Sequence, residues 1–222
     1  MIDVYIFSSS TAFSPADYAL LTPQEKIRAS KFIPSRIGLR KILMRYTPKN
    51  PVIDYTATGK PFLKDFPTIH FNLSHANNLT LCAVSFEYPV GIDVEDMRKP
   101  RRYDRIAKRF FSETDYQTWL ASKNPLKTFF ELWTKHEAGI KAGGEGLFKH
   151  DKNKALHKKN TVLQYYVLSV PFPYQATLSV HVNDDNKKNN NKPMPINFRL
   201  FDFNLITSTF SQAHDVCSRH GF

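Results

Sequence analysis

The sequence predicts an α+β protein of one large domain or two small domains. The first of the following observations supports the fold class and the second supports the number of domains. Segments with a helical pattern and segments with a strand pattern occur in both halves of the chain, which is typical of α+β folds. The chain has 222 residues, a length that allows one large domain or two small domains with a hydrophobic core of useful size.

The first predicted elements are one strand and two helices. Residues 2–7 form an apolar run typical of a strand. The motif T-P-Q-E at residues 22–25 has the form of a capping box with proline at the first helical position, so a helix is predicted from there towards Phe32. Pro34 interrupts this pattern, and a second helix is predicted over residues 35–46.

Further segments have the apolar, β-rich pattern of strands. They lie at residues 70–73, 79–85, 90–95, 161–170, 174–182 and 196–203. Residues 76–78, A-N-N, are a candidate turn between the first two of these strands. The Asn/Lys-rich residues 183–192 predict an exposed loop, to which we assign no function.

A helical block is predicted between the third and fourth of these strands. It begins with a helix over residues 103–111, after which Ser112 is a candidate N-cap. A long helix is then predicted to begin at Asn124-Pro125 and to end at Gly143-Gly144.

Three carboxylates are predicted to meet in space. In the segment G-I-D-V-E at residues 91–95, Asp93 and Glu95 are two residues apart on a strand, so their side chains point to the same face. The helical segment that begins at Trp133 contributes Glu137. Hard oxygen ligands of this kind suit Mg²⁺, which takes one or two carboxylates and completes its octahedron with water and phosphate oxygens. The pattern therefore indicates a place where a divalent cation and a phosphate could meet.

The cysteines and the N-terminal residues indicate the cellular compartment. Cys82 and Cys217 are too few and too far apart for a disulfide framework or a metal site, and Cys82 lies in an apolar run typical of a buried structural thiol. The first residues, M-I-D-V-Y-I-F, lack a basic region before the apolar residues, and no apolar run reaches membrane-spanning length. We therefore expect a cytoplasmic protein without a membrane segment.

The net charge of +11 is concentrated in two segments. Residues 23–49 carry a net charge of +7 and residues 98–109 carry +6, whereas the rest of the chain carries −2. Such segments attract polyanions, and nucleic acid is the generic interpretation. The clustered acids at positions 93, 95 and 137 argue against it, because they would repel nucleic-acid phosphates unless a metal intervened.

Five segments together resemble the signatures of the 4'-phosphopantetheinyl transferases, in particular the longer, surfactin-synthetase-activating type. In chain order they are G-K-P-F-L at residues 59–63, F-N-L-S-H at 71–75, G-I-D-V-E at 91–95, I-A-K-R-F-F-S-E-T-D-Y at 106–116 and W-T-K-H-E-A-G-I-K-A-G-G-E-G-L at 133–147. They occur in the order and at the approximate spacing of that family. Beyond Leu147, this chain resembles that family only in its length and in its layout of strands.

The resemblance implies a fold and a division of the chain. The family has two similar α+β halves in one chain, with the active site between them. Here residues 1–90 would form the N-terminal half with contacts to the nucleotide of coenzyme A, and residues 91–222 would form the C-terminal half with the metal site and the catalytic helix. The resemblance also implies a monomer.

Individual residues receive roles from the same resemblance. Asp93, Glu95 and Glu137 would hold the Mg²⁺ that bridges the pyrophosphate of coenzyme A, and Lys141 would contact the pyrophosphate and help the leaving group. Asp93, Glu137 and Lys141 are thus the predicted catalytic residues. Further contacts to coenzyme A are implied for Arg36, Lys60, Ser74, His75, His136 and Lys141.

Each of these residues also has a structural alternative. Asp93 and Glu95 could be a solvated strand end beside Arg98 and Lys99. Glu137 could form a helix pair with Lys141, since the i,i+4 spacing with the glutamate first is favourable. A single histidine after a strand, such as His75, is usually a hydrogen-bonded structural residue.

The implied reaction is transfer of 4'-phosphopantetheine from coenzyme A to a serine of an acidic acyl or peptidyl carrier protein, with release of 3',5'-ADP. The attacking serine needs a base, which in the family is proposed to be a glutamate at the position of Glu137 or a water held by the metal; the sequence leaves both open. Coenzyme A and an acidic carrier also explain the basic segments, and the carrier is predicted to dock near residues 103–120, beside Arg101, Arg102, Arg105 and Arg109.

His136 departs from the family pattern. Most relatives have lysine immediately before the glutamate, whereas this chain has H-E-A with Lys135 one place earlier. A neighbouring helical residue points about 100° away, so Lys135 is a poor substitute. The charge of a histidine near neutral pH depends on its surroundings. A relative that binds coenzyme A or carrier without transferring the group therefore stays an alternative.

Overall fold

The computed structural model describes residues 1–10, 12–28, 32–144, 161–183 and 195–200, and these residues form a mixed α+β structure, as predicted. The strands are β1 (Ile2–Ser8), β2 (Ile53–Tyr55), β3 (Pro61–Leu63), β4 (His70–Ala76), β5 (Leu79–Ser85), β6 (Val90–Asp96), β7 (Thr161–Leu168), β8 (Tyr174–Asn183) and β9 (Ile196–Leu200). The helices are α1 (Pro15–Tyr18), α2 (Pro23–Arg28), α3 (Ile33–Leu43), α4 (Tyr103–Phe110), α5 (Glu113–Leu120) and α6 (Pro125–Gly143). Among these helices, none has the length and apolar character needed to cross a bilayer.

The described strands form two larger sheets and one hairpin. The order of the first sheet is β4-β5-β1-β9, in which β1 is antiparallel to β5 and parallel to β9. The second sheet is antiparallel, with the order β6-β8-β7, and β2 pairs with β3. Strand β9 therefore comes from the C-terminal part of the chain and completes the sheet that β1 begins. The division at residue 90 and the likeness of the two halves stay predictions.

Alternation along the strands places one core between the two larger sheets. Ile2 and Val4 of β1 share a buried cluster with Ile92 and Val94 of β6, and the cluster continues into β8. Helix α3 covers the other face of the first sheet, where Leu39 and other residues of this helix pack on apolar residues of β1, β4 and β5. Because side chains alternate along a strand, residues 91, 93 and 95 of β6 point away from this core. They face α6.

The two sheets also meet along their edge strands. In β4, Asn72 Oδ1 accepts a hydrogen bond from the backbone N–H of Ile92 at 2.9 Å, and Ser74 Oγ accepts one from that of Val94 at 3.2 Å. Side chains of β4 thus satisfy backbone donors of β6 that have no strand partner on that side. This contact brings the F-N-L-S-H segment next to G-I-D-V-E.

Gly91 allows α6 to lie directly against the backbone of β6. A Cβ atom at this position would stand 2.1 Å from the carbonyl oxygen of Ala138 and 2.3 Å from the backbone nitrogen of Ala142. Any larger residue would push the helix away from the strand. Gly91 therefore allows the short distance between β6 and α6, the two elements that carry the acids.

The predicted helix boundaries rest on local capping, and most are confirmed. Thr22 and Glu25 form the reciprocal capping box, with Thr22 N–H donating to Glu25 Oε2 at 2.9 Å and Glu25 N–H donating to Thr22 Oγ1 at 3.2 Å. Ser112 caps α5 and Asn124 caps α6 through their side-chain oxygens. Gly144 ends α6 in the left-handed conformation, with φ of 74°. Helix α3 begins at Ile33, so Pro34 lies in its first turn instead of before it.

Other elements differ from the predictions or lie outside the described residues. The short helix α1 and the hairpin of β2 and β3 were not predicted, because each is too short to show a periodic pattern. Of the predicted loop at residues 183–192, only Asn183 is described, and it ends β8. The predicted last strand is described as far as Leu200.

Candidate active site

Three carboxylates converge where β6 meets α6. Asp93 and Glu95 come from β6 and Glu137 comes from α6, and one oxygen of each lies within 4.8 Å of the others. Asp93 is 2% exposed and Glu95 is 9% exposed. Asp93 Oδ2 is buried and accepts no hydrogen bond from the residues that the structure describes. A buried carboxylate oxygen without a donor is unfavourable, and a cation between the three carboxylates would relieve that cost, so this group could hold a metal ion.

The other oxygen of Asp93 is fixed by Lys141 and Ser74. Lys141 Nζ donates to Asp93 Oδ1 at 2.6 Å and to Ser74 Oγ at 3.2 Å, and Ser74 Oγ donates to Asp93 Oδ1 at 3.0 Å. Glu137 Oε2 lies farther from the lysine, at 3.9 Å. Burial lowers the pKa of Lys141, but the charges of Asp93 and Glu137 outweigh it, so the net shift is upward and the ammonium stays protonated.

Glu95 is held from two sides. The indole N–H of Trp133 donates to Glu95 Oε1 at 3.1 Å, and Arg101 Nη2 donates to Glu95 Oε2. Burial and the charge of Asp93 raise the pKa of Glu95, and its contacts with Arg101 and Trp133 oppose that rise.

Two of these contacts were not predicted from the sequence. Trp133 packs in the core, and its N–H also reaches a carboxylate. The sequence does contain a signal for this contact. Residues 133, 137 and 141 are spaced four apart, so Trp133 lies on the same face of α6 as Glu137 and Lys141. Arg101 was assigned to the carrier surface, whereas the structure pairs it with Glu95. Nothing in the local sequence shows that partner.

A separate cavity of about 220 Å³ lies between α3, the hairpin of β2 and β3, and β4. Its lining includes Arg36 and His75, two of the residues predicted to contact coenzyme A. The ring of Phe32 packs on that of His75, with centroids 4.2 Å apart. Burial lowers the pKa of His75, and the positive charges of Lys141 and Arg36 lower it further. The structure thus brings Arg36 and His75 to one concave surface.

The remaining predicted residues lie elsewhere. Ser74 belongs to the carboxylate cluster through its bond to Asp93. Lys60 Nζ donates to the carbonyl oxygen of Ala142 at 2.6 Å, so its side chain extends along the C-terminal end of α6. The imidazole of His136 stacks on Trp133 with centroids 5.9 Å apart. Lys135 lies over the ring of Tyr165, 5.1 Å from its centroid, on another side of the helix.

Comparison with known proteins shows which family this region resembles. Residues 89–190 match the model of the 4'-phosphopantetheinyl transferase superfamily. This region, somewhat less than half of the chain, is similar to the 4'-phosphopantetheinyl transferases. The match includes β6 and α6, and with them Asp93, Glu95, Glu137 and Lys141. The sequence resemblance to these transferases is therefore confirmed.

Relatives within the superfamily come from bacteria and a mammal. The 4'-phosphopantetheinyl transferase HetI of Nostoc sp. is 39% identical over 127 residues, which are 54% of this chain and 54% of HetI. The transferase Sfp of Bacillus subtilis is 44% identical over 91 residues, covering 40% of this chain and 39% of Sfp. The L-aminoadipate-semialdehyde dehydrogenase-phosphopantetheinyl transferase of Rattus norvegicus is 30% identical over 163 residues, covering 60% and 53%. The chain thus spans about half or less of the length of these relatives.

The environment of Glu137 predicts a pH dependence of stability. Burial and the charge of Asp93 raise the pKa of Glu137 to about 8, although Lys141 opposes the shift. Because this pKa lies above its ordinary value of 4.5, protonation stabilises the fold below about pH 4.5, and that stability is lost as the pH rises through about 8. In EDTA, we expect the melting temperature of the wild type to fall between about pH 6 and pH 9 more than that of Glu137→Gln.

The control for this prediction is Glu131→Gln, on the same helix. Glu131 lies outside the cluster and pairs with Lys127 at 3.5 Å. Its melting curve should follow the wild type across the pH range. Parallel curves for wild type and Glu137→Gln would contradict the assignment of the raised pKa to Glu137.

Proposed function

We propose that the protein transfers 4'-phosphopantetheine from coenzyme A to a serine of an apo acyl or peptidyl carrier protein and releases 3',5'-ADP in an Mg²⁺-dependent reaction. The observation that carries this proposal is the convergence of Asp93, Glu95 and Glu137 within 4.8 Å, inside the region that matches the superfamily. The proposal also takes the two halves of the chain to be similar α+β units, with the site between them.

The residues fit Mg²⁺. They offer hard carboxylate oxygens, and Asp93 Oδ2 is buried without a donor from the described residues. Asp93, Glu95 and Glu137 would hold the ion. When bound, Mg²⁺ neutralises the pyrophosphate of coenzyme A and so makes its phosphorus easier to attack.

The chain's own groups would position and neutralise the reactants. Arg36 and His75 line a cavity suited to the nucleotide and its 3'-phosphate. Lys141, protonated and beside Asp93, is placed to stabilise the charge that develops on the departing 3',5'-ADP. The serine oxygen forms the new bond to phosphorus as the bond to 3',5'-ADP breaks. Glu137 is the candidate to accept the serine proton, because it lies in the carboxylate cluster next to the proposed position of the phosphorus.

The surface beside the site supports an acidic carrier as the partner. Arg102, Arg105 and Arg109 are exposed on and next to α4. Phe111 of this block is buried, whereas Phe110 packs against Trp133 with centroids 5.4 Å apart. An acidic helix could meet these arginines while its serine reaches the neighbouring carboxylate cluster.

Trp133 should affect cation binding through Glu95. Trp133→Phe keeps the ring packing but removes the N–H that orients Glu95 Oε1, so we expect the Mg²⁺ concentration for half-maximal activity to rise roughly tenfold. Isothermal titration with Mn²⁺ should show the same change in affinity. Trp119→Phe is the matched control, because the N–H of Trp119 donates to the carbonyl of Pro125, away from the acids. Equal cation affinity in the two variants would contradict this role.

Intact-protein mass spectrometry tests the proposed function. The protein is mixed with coenzyme A, Mg²⁺ and an apo acyl carrier protein. We expect the carrier to gain about 340 Da, the mass of one phosphopantetheine group, and EDTA to prevent the gain. A protein that binds coenzyme A but adds no mass to several carriers would contradict the proposal and would favour an impaired relative, with His136→Lys as the next variant.

A further inference from the structure

The ion pair between Arg101 and Glu95 occupies one of the three carboxylates of the candidate cation site. Arg101 Nη2 donates to Glu95 Oε2, and the side chains are 22% and 12% exposed. The Nε atom of Arg101 is buried and has no hydrogen-bond partner within the described part of the chain. Arginine often binds a carboxylate through two parallel hydrogen bonds, one from Nε and one from Nη. This pair has only the bond from Nη2. Such a contact holds a carboxylate less firmly than two parallel bonds do.

Two positive groups of the protein already face the three acids. Lys141 contacts Asp93 at 2.6 Å and lies 3.9 Å from Glu137, while Arg101 contacts Glu95. A divalent cation bound to the same oxygens would stand within a few ångströms of both groups. At such distances like charges repel strongly in a partly buried site. Binding of the cation is therefore expected to move at least one of these groups.

Arg101 is the group that can move. Lys141 extends from the middle of the site with three hydrogen bonds, to Asp93, Ser74 and the carbonyl of Ile92. Arg101 makes one described hydrogen bond, to Glu95, and lies in the connection between β6 and α4, so a single bond holds its guanidinium whereas three hold the ammonium of Lys141. Glu95 would keep its second contact, because the indole N–H of Trp133 binds the other oxygen.

We propose that Arg101 is an internal counter-ion of the candidate cation site, paired with Glu95 when no divalent cation is bound and displaced from Glu95 Oε2 when one binds. This inference rests on the proposed function, since it takes the three carboxylates as the cation ligands. Arg101 then stabilises the protein without the cation and competes with the cation for Glu95. It thereby sets the concentration of divalent cation that the site requires.

Removal of the guanidinium should strengthen cation binding. We expect Arg101→Gln to bind Mn²⁺ roughly tenfold more tightly than the wild type, the scale of one charge-assisted hydrogen bond. In EDTA, the variant should melt at a lower temperature, because Glu95 loses its counter-charge. Added Mn²⁺ should then raise its melting temperature by more than that of the wild type.

The experiment is isothermal titration of the purified full chain with MnCl₂ in the absence of coenzyme A. Arg102→Gln is the matched control, since Arg102 is the next residue, is exposed, and loses the same charge. Its affinity for Mn²⁺ should stay close to that of the wild type, because an exposed charge is screened. If Arg101→Gln does not fold, Arg101→Met keeps a long aliphatic side chain, removes the same charge and carries the same expectation.

The outcomes separate this inference from the proposed function. Equal Mn²⁺ affinity in wild type and Arg101→Gln would overturn the inference, and weaker binding in the variant would do so too, because it would make Arg101 a support for Glu95 and not a competitor. In both cases the wild type still binds Mn²⁺, so the proposed cation site stands. A wild type that binds no Mn²⁺ would overturn both.

Discussion

Replacing Asp93 with asparagine is expected to lower the rate of phosphopantetheine transfer roughly 10²-fold or more, the scale for loss of a central electrostatic contact. Asp93 contributes both of its oxygens to the site. Oδ1 accepts hydrogen bonds from Lys141 and Ser74, and Oδ2 is buried without a hydrogen bond from the described residues. The neutral amide would keep the shape of the side chain but would weaken the cation site and leave Lys141 without its closest counter-charge. The turnover number should be measured by carrier mass at saturating coenzyme A and Mg²⁺.

Glu131→Gln is the control for this loss of activity. It also removes one carboxylate charge, but Glu131 lies nearly three turns before Lys141 on α6 and pairs with Lys127. This variant should turn over at close to the wild-type rate. If Asp93→Asn, folded by circular dichroism, also retained that rate at saturating Mg²⁺, Asp93 would not belong to the catalytic site.

Gly91→Ala is expected to have the largest effect on stability. The added Cβ would stand 2.1 Å and 2.3 Å from backbone atoms of Ala138 and Ala142, and both are fixed within α6. No rotamer change relieves a contact with backbone, so the helix must move away from β6. We expect a loss of about 3 kcal/mol or more in the free energy of unfolding, at the upper end for overpacked sites. Urea denaturation followed by circular dichroism measures this loss.

Gly59→Ala separates steric contact from backbone strain. Gly59 has φ of 87°, but a Cβ there would have no described atom within 4 Å. The variant should lose only about 1 kcal/mol, the strain of a left-handed residue. The double variant Gly91→Ala/Ala142→Gly should remain as unstable as Gly91→Ala, because the nearest atoms are backbone atoms. An unfolding free energy for Gly91→Ala close to that of Gly59→Ala would contradict the close approach of β6 and α6.

The part of the site that follows from local periodicity could be predicted from the sequence. Two-residue alternation on β6 puts Asp93 and Glu95 on one face, and four-residue spacing puts Glu137 and Lys141 on one side of α6. The caps at Thr22, Ser112 and Gly144 depend on neighbouring residues alone. The structure agrees with these predictions because short-range geometry determines them.

Contacts between distant segments could not be predicted in this way. Strand β9 pairs in parallel with β1 although almost the whole chain separates them. The hairpin that carries Lys60 meets the end of α6, where Thr58 Oγ1 donates to the carbonyl of Gly144 at 2.5 Å; the contact of Lys60 with the nucleotide stays a prediction. Whether a lysine faces a ligand or a helix end depends on how these elements pack, and the local sequence does not contain that information.

The two basic segments show the same limit of prediction from the local sequence. The sequence assigns a net charge of +7 to residues 23–49, a sum that already counts Glu25, the partner of Arg40; Lys41 in addition pairs with Asp17 at 2.8 Å. Asp17 lies outside the segment in sequence and next to it in space. Arg98 likewise pairs with Asp96 at 2.8 Å. Part of the positive charge is therefore neutralised within the fold, whereas the arginines on and beside α4 are exposed.

The position of the cation is the most direct test of this account. Crystals grown with coenzyme A and Mn²⁺ should be measured near the manganese absorption edge. We predict one anomalous peak between Asp93, Glu95 and Glu137, with carboxylate oxygens about 2.2 Å from it, slightly farther than the distance for Mg²⁺. A complex that contains coenzyme A but has its manganese away from these carboxylates, or has none, would contradict the assignment of the site.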